Sequence, residues 1–492
     1  MMEKTDLERF LKLSEKGVIV PVFQELPADM ETPVSVLERF VNDENVCLME
    51  SVENSEKFGR YSFLGVNPRG LFTVEKGQAL MHVHGQCLNM RYGKYPLDAL
   101  RALVSGKRVA RDPSLPPLPG GAIGYLCYEA VTMFEQLPAP KAELDSPLCA
   151  FMLTDEIIAF DNMHHTMKVI VNVHLDQYPN KEAAFLAGEK RVAALVNRIQ
   201  QPIDRHIALE HEEKVKLVPD MTREAFEQMV EKAKQYITEG EIIQVVPSQS
   251  FSAQTSIPTF LMYRALRLVN PSPYMFFLKM GTKTLVGSSP ETLVRLENRR
   301  SNVRPIAGTR RRGSTPAEDR RLMEELLHDE KECAEHLMLV DLARNDVGRT
   351  AVTGTVQVKT FMTIEKYSHV MHIVSDVEGM LDPKYDAFDL LATTFPAGTL
   401  SGAPKIRAME IIHELEPRPR GAYGGCVGYI SYDGNMDMAI TIRTMEVSQG
   451  TVRVQAGAGI VYDSIPANEY QETINKAAAL FRSVEFAGRN LK

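Results

Sequence analysis

Over residues 5–16 apolar and charged side chains alternate at helical spacing, and residues 18–25 form an apolar run that predicts a strand. Residues 33–42 read as a helix opening at Pro33. From Val46 to about Val173 the text is strand-like, broken by turn signals such as Asn67-Pro68 and Pro119-Gly120-Gly121. Residues 181–200, rich in Ala and Leu, predict an amphipathic helix. The polar, aperiodic stretch 201–221 then reads as a linker between an N-terminal region, 1–200, and a second region, 222–492, with the two closely packed.

The second region opens with Thr222 as the N-cap of a helix running to Glu239-Gly240. Strands are predicted at Ile242–Phe251, Tyr274–Lys279 and Thr284–Ser288, and a helix over Ala317–Val340. Strand-rich text returns at Val352–Gly379, a helix at 405–415, three strands between Gly425 and Ile460, and a closing helix at Asn468–Phe486. Strands and helices mix without a βαβ rhythm, so the fold class is α+β with antiparallel sheets.

Composition narrows the function more than the fold. Hydrophobic residues make up 44% and charged residues 24%, a globular balance that argues against disorder. The net charge of −8 disfavours nucleic acid, since the nearest candidates for a basic stripe, Arg310-Arg311-Arg312 and Arg320-Arg321, are short and flanked by acids. No run of about 20 apolar residues offers a membrane span. The six cysteines form no CxxC pair and the N-terminus lacks a signal-peptide pattern, so a reduced cytoplasmic protein is expected.

Candidate chemistry gathers in the second region. Glu332 and Glu335 lie three apart on one predicted helix, and Glu469 and Glu472 repeat that spacing on the last one. Such pairs fit a solvated face, or carboxylates offered across a cleft to Mg²⁺, which takes few protein oxygens. Gly457-Ala458-Gly459 after a strand fits either small-residue packing or backbone amides open to an anion. Gly398–Lys405 is a second small-residue loop ahead of a helix. His369 and His372 fall on opposite faces of a strand, where one could serve as acid or base or either could be a core histidine. The doublet His164-His165 follows a turn and is expected on the surface.

Read in order, Gly287-Ser288-Ser289-Pro290-Glu291, Pro305-Ile306-Ala307-Gly308-Thr309-Arg310, the stretch Ala334–Asp346, the Gly398–Lys405 loop and Gly457-Ala458-Gly459 resemble the chorismate-utilising enzymes. That family includes synthases of anthranilate, aminodeoxychorismate, isochorismate and salicylate, and the match runs from about Thr222 to Leu480. The resemblance implies a two-sheet, sandwich-like core flanked by helices. It implies Glu335 and Glu472 as Mg²⁺ ligands, and Gly308, Thr309, Tyr423, Arg443, Gly457, Ala458 and Gly459 as chorismate contacts. Glu291 would be the general acid that protonates the departing C4 hydroxyl. His372 would assist the later elimination, with Thr399 nearby.

Two positions discriminate within the family. Water-using members place a Lys where Gln244 stands, and a neutral amide cannot act as that base. Aminodeoxychorismate synthases usually place a nucleophilic Lys where Ala307 stands. Both departures point to ammonia as nucleophile and anthranilate as product, a lyase reaction at the head of tryptophan biosynthesis. The alternatives are an aminodeoxychorismate-forming enzyme or a non-catalytic binding protein of the same fold. Leu48-Met49-Glu50-Ser51 and Asn270–Met275 resemble the family's tryptophan feedback pocket, which implies Ser51, Pro273, Tyr274 and Met275 as contacts with L-tryptophan. No Gly-x-Cys-x-Gly-His segment is present, so ammonia would come from a separate glutamine amidotransferase subunit in a hetero-oligomer, for the family a heterotetramer.

Overall fold

The computed structural model describes residues 2–51, 59–203, 215, 218–366 and 370–490. Its strands form two large antiparallel sheets. The first runs in spatial order Ile19–Pro27, Thr166–His174, Glu156–Asp161, Tyr61–Val66, Asn45–Glu50, Tyr274–Met280, Lys283–Ser289, Thr444–Ser448, Thr451–Gly457, Ser248–Gln254 and Val218–Pro219. The second runs from Ile306–Arg311 through Val370–Met380, Arg300–Val303, Thr292–Glu297, Met436–Ile440, Cys426–Ser431, Gly121–Leu126, Cys149–Thr154 and Gly70–Glu75 to the strands Gln78–Val83 and Gln86–Asn89, with Gln357–Lys366 paired to Val370–Met380.

The sheets stack face to face, and helices cover both outer faces. Strand Tyr274–Met280 shows how sequence dictates the layering. Successive side chains alternate, so Met275 and Phe277 pack under helices while Phe276 and Leu278 enter the inter-sheet core. Both faces are buried, which is why the strand reads as unbroken apolar text. Helices Lys181–Ile199, Thr259–Val269 and Pro466–Asn490 cover the first sheet. Helices Leu97–Ser105, Arg223–Thr238, Ala387–Thr394 and Lys405–Leu415 cover the second. The expected α+β class with a two-sheet core is therefore present. Both sheets draw strands from either side of 201–221; residues 204–214, 216 and 217 of that stretch lie outside the described residues.

Three local expectations are corrected. The strand-like text before Val173 contains the helix Leu97–Ser105, whose buried Leu97, Leu100 and Val104 follow helical spacing. The single helix expected over Ala317–Val340 is two, Pro316–Leu327 and Glu330–Gly348. Asp329 breaks it by accepting the amides of Lys331 and Glu332 at 3.1 and 3.2 Å, an N-cap worth about 1 kcal/mol. Four strands rather than three lie between Gly425 and Ile460. Thr222 caps the helix Arg223–Thr238 as expected, its side chain accepting the Ala225 amide at 3.2 Å. No helix among the described residues is long and apolar enough to cross a membrane.

Candidate active site

The strand Ile306–Arg311 carries the most distinctive motif, and its backbone explains the glycine. Ala307 pairs with Ile373 and Thr309 with His372, so Gly308 is an extra residue in the ladder, a bulge at φ +65°. The bulge turns the Gly308 carbonyl toward His372 Nδ1 at 3.0 Å, and the Thr309 hydroxyl lies 3.1 Å from the same nitrogen. A carbonyl only accepts, so Nδ1 carries the hydrogen and the neutral ring keeps its lone pair on Nε2. Burial lowers the His372 pKa, Arg443 lowers it further, and the Gly308 carbonyl and Glu365 oppose both. A neutral imidazole whose basic lone pair sits on Nε2 is the consequence. His369 lies outside the described residues. His164 and His165 are exposed, and His336 is buried with Nε2 2.7 Å from Ser375 Oγ, a core histidine.

Glu291 follows the strand Lys283–Ser289, whose other members pair with Tyr274–Met280 on one side and Thr444–Ser448 on the other. The Ser289 hydroxyl donates to the Ile440 carbonyl at 2.7 Å, and the Ile440 amide donates to the Glu291 carbonyl at 3.0 Å, which fixes the turn. Burial pushes the Glu291 carboxyl up to about 8, and the facing Thr399 hydroxyl opposes this only in part. Near pH 7 this carboxyl therefore holds its proton. Thr399, in the short helix Gly398–Ser401, buries its Oγ1 facing Glu291, with no other hydrogen-bond partner among the described residues.

Arg443 sits between two of these strands at φ +50°, its carbonyl accepting the Ser288 amide at 3.1 Å. Burial lowers its pKa, with Tyr423 and Glu472 opposing. No carboxylate lies within ion-pair distance of it among the described residues. A mostly buried guanidinium with no carboxylate at ion-pair distance among the described residues can receive an anionic ligand. Beside it the small residues are required by space. A Cβ on Gly457 would stand 2.8 Å from both the Pro247 carbonyl and the Tyr423 hydroxyl, and one on Gly459 2.7 Å from Gln244 Nε2. The Ala458 amide is spent on the Pro247 carbonyl at 3.1 Å, so not every amide of this segment faces outward.

Gln244, 6% exposed, lies in a two-residue strand paired with Gly402–Ala403. Its Nε2 points at Glu335 Oε1, 3.4 Å away. Burial raises the Glu335 pKa, Glu332 and Glu472 raise it further, and Gln244 and Lys331 oppose. Carboxylates from two helices thus repel one another across a gap. Arg310 engages Glu332 at 3.1 Å, whereas Glu472 meets Lys476 Nζ at 2.6 Å. No three His, Cys, Asp or Glu side chains among the described residues converge tightly enough to hold a metal on their own. That donor set fits Mg²⁺, which is held by one or two carboxylates and completes its shell from water and substrate oxygens.

Lys476 escaped sequence reasoning. It pairs with Glu472 one turn away and donates to the Gly457 carbonyl at 2.9 Å, joining the last helix to the glycine segment. The i,i+4 spacing to Glu472 was the available signal.

A separate cavity of about 130 Å³ lies between the sheets, lined by Ser51, Pro273, Tyr274 and Met275 among others. Met275 is paired with Glu50 in the ladder, which brings the two distant segments together. The Ser51 hydroxyl is buried without a partner among the described residues. Tyr274 donates to Asp437 at 3.0 Å.

Residues 44–482 match the family model for chorismate binding enzymes. The chain belongs to the chorismate-binding enzyme family. Within it, "Anthranilate synthase component 1" of Acetivibrio thermocellus is 45% identical over 477 residues, 96% of each chain. The protein of that name from Aquifex aeolicus is 45% identical over 493 residues, 98% of each. Among solved members, anthranilate synthase component I from Streptococcus pneumoniae superposes with a TM-score of 0.76 at 38% identity, over 87% of this chain and 93% of that one. The menaquinone-specific isochorismate synthase of Escherichia coli superposes at 0.72 with 20% identity, over 97% and 98%, which shows the shared fold.

Proposed function

We propose that the chain converts chorismate and ammonia to anthranilate, pyruvate and water, as the chorismate-binding subunit of an anthranilate-forming pair at the first committed step of tryptophan synthesis. The observation that carries this reading is Gln244, a buried amide set against Gly459 and Glu335 where a base would be needed to activate water. Ala307, beside the bulge, offers no nucleophile of its own. Ammonia needs neither.

The residues divide the work as follows. Arg443, Tyr423 and the Gly457–Gly459 segment hold the substrate carboxylates. Glu291, protonated near neutrality, gives its proton to the C4 hydroxyl as ammonia bonds to C2 and the ring double bonds shift, so that water leaves. Hydroxide is a poor leaving group, and general acid catalysis of this kind contributes about 10²–10⁴-fold. In the second stage the C2 proton passes to a base, a role suited to the His372 Nε2 lone pair, and the enol of pyruvate departs. Glu335 and Glu472 would hold Mg²⁺, which when bound supplies a clamp on a substrate carboxylate and offsets its charge.

The inter-sheet cavity, lined by Ser51, Pro273, Tyr274 and Met275, is the proposed seat of L-tryptophan as a feedback inhibitor. Ammonia is proposed to arrive from a separate glutamine amidotransferase subunit within a hetero-oligomer. All six cysteines are free, and burial raises the pKa of Cys47, Cys127, Cys149 and Cys426, which suits a reducing cytoplasm.

Incubation of the purified chain with chorismate, Mg²⁺ and ammonium tests the reading. Blue anthranilate fluorescence is expected. Accumulation of an aminated but non-aromatic product would instead assign the aminodeoxychorismate reaction.

A further inference from the structure

A buried charged cluster lies behind the site and is used by none of the steps above. Arg420 is 2% exposed and Glu416 5%. The Arg420 Nε donates to Glu416 Oε2 at 2.9 Å, and Nη2 to Glu416 Oε1 at 2.6 Å. A buried ion pair is poor evidence of stabilisation, because desolvating both charges offsets their attraction. The rest of the guanidinium is more informative. Nη1 donates to the Leu400 carbonyl at 2.7 Å and Nη2 to the Val246 carbonyl at 2.6 Å.

Those two carbonyls belong to different walls of the site. Leu400 adjoins Thr399, whose buried hydroxyl faces Glu291. Val246 lies two residues after Gln244 and just before Pro247, whose carbonyl anchors Ala458. Glu416 extends the same grip, accepting the Ser248 amide and hydroxyl, each at 2.8 Å. Ser248 pairs with Gly457. The guanidinium carbon also stands 5.7 Å from the centre of the Tyr423 ring. Glu129 holds the other side by accepting the Arg420 amide at 2.6 Å.

We propose that Arg420, oriented by Glu416, is a positioning residue for the chorismate site: its planar fork ties the Gln244–Val246 segment to the Thr399 turn and so sets the width of the pocket. This rests on the chorismate reading of the site. Only a rigid fork of donors reaches two carbonyls and a carboxylate at once; a lysine ammonium carries the charge without that geometry. No contact with substrate is involved, and the effect runs through the placement of Gln244, Thr399 and the glycine segment.

The test separates a positioning role from a merely structural one. Arg420→Gln alone leaves Glu416 buried and unpaired and is expected to unfold the protein. The double variant Glu416→Gln/Arg420→Gln removes both buried charges, so its unfolding midpoint recovers toward that of the wild type. Its kcat/KM for chorismate stays down by about a hundredfold, with KM raised as well as kcat lowered, since a displacement of about 1 Å has that order of effect. Arg420→Lys shows the same split while retaining the charge. Recovery of activity along with stability in the double variant overturns the proposal, as does wild-type kcat/KM in Arg420→Lys. Wild-type enzyme assayed beside them identifies the other failure: if it does not consume chorismate, the functional reading is wrong and the clamp falls with it.

Discussion

Replacing Arg443 by methionine deletes a mostly buried cation that has no carboxylate within ion-pair distance among the described residues. In the ligand-free protein that cation is a liability, because burial penalises its charge and only Tyr423 and, at longer range, Glu472 oppose the penalty. Relief of an unpaired buried charge is worth about 1–3 kcal/mol, below the several kcal/mol of full desolvation because Arg443 keeps some solvent contact. At roughly 2.1 cal/mol/K of unfolding entropy per residue, a chain of 492 residues carries about 1 kcal/mol/K, so the unfolding midpoint rises by about 1–3 °C. With chorismate the sign reverses. Loss of a charge-assisted hydrogen bond costs about 1.5–3 kcal/mol, a factor of about 10–150 in affinity. Differential scanning calorimetry without substrate and titration calorimetry with chorismate read the two effects separately. The reasoning fails if the variant melts several degrees lower, or if chorismate binds it as tightly as the wild type.

Because Glu291 must be protonated to act and its pKa is about 8, kcat should fall as pH rises through about 8, and Glu291→Gln should lower kcat by about 10²–10⁴-fold and erase that limb. The same shift sets a stability trend: the folded carboxyl binds its proton more tightly than the unfolded one, so its contribution decreases as pH rises from about 4.5 to 8. Thermal unfolding across that window should show Glu291→Gln losing less stability than the wild type. Gly459→Ala places a methyl 2.7 Å from Gln244 Nε2, the movable end of a side chain, so the variant should fold normally while Gln244 swings off Glu335 and kcat/KM drops about tenfold. Glu335→Gln should remove the Mg²⁺ dependence of turnover together with turnover itself; undiminished activity would contradict the metal assignment. Ser51→Phe should fill the inter-sheet cavity and leave the enzyme active in the presence of tryptophan, and an unmodified enzyme indifferent to tryptophan would refute the feedback site.

How far these features were legible in the sequence depends on their range. The Thr222 cap, the amphipathic helix near 181–200 and the helix at 405–415 rest on neighbours a few residues apart, and periodicity found them. The paired glutamates were visible as a spacing, but their mutual repulsion across two helices needed the fold. Gly308 was recognisable as part of a motif; that it is the extra residue of a bulge aiming a carbonyl at His372 was not, because the partner lies 64 positions away. The break at Asp329 was missed because acidic residues surround it and its capping role depends on where the preceding helix stops. Arg420 was invisible for a similar reason. Its partners Val246 and Leu400 are backbone carbonyls, which carry no side-chain signature, and only Glu416 at helical spacing hinted at a pair. The entry of N-terminal strands into both sheets is a long-range pairing that no local pattern encodes.

In the proposed reaction ammonia, not water and not a side chain, attacks chorismate, with Gln244 and Ala307 standing where the alternatives would need a base or a nucleophile. Turnover with ¹⁵N-ammonium, Mg²⁺ and chorismate, read by mass spectrometry, tests it most directly. The expected product is anthranilate one mass unit heavier than the unlabelled compound, with one pyruvate released for each. An unlabelled hydroxylated product, or a covalent adduct on the chain, would contradict it.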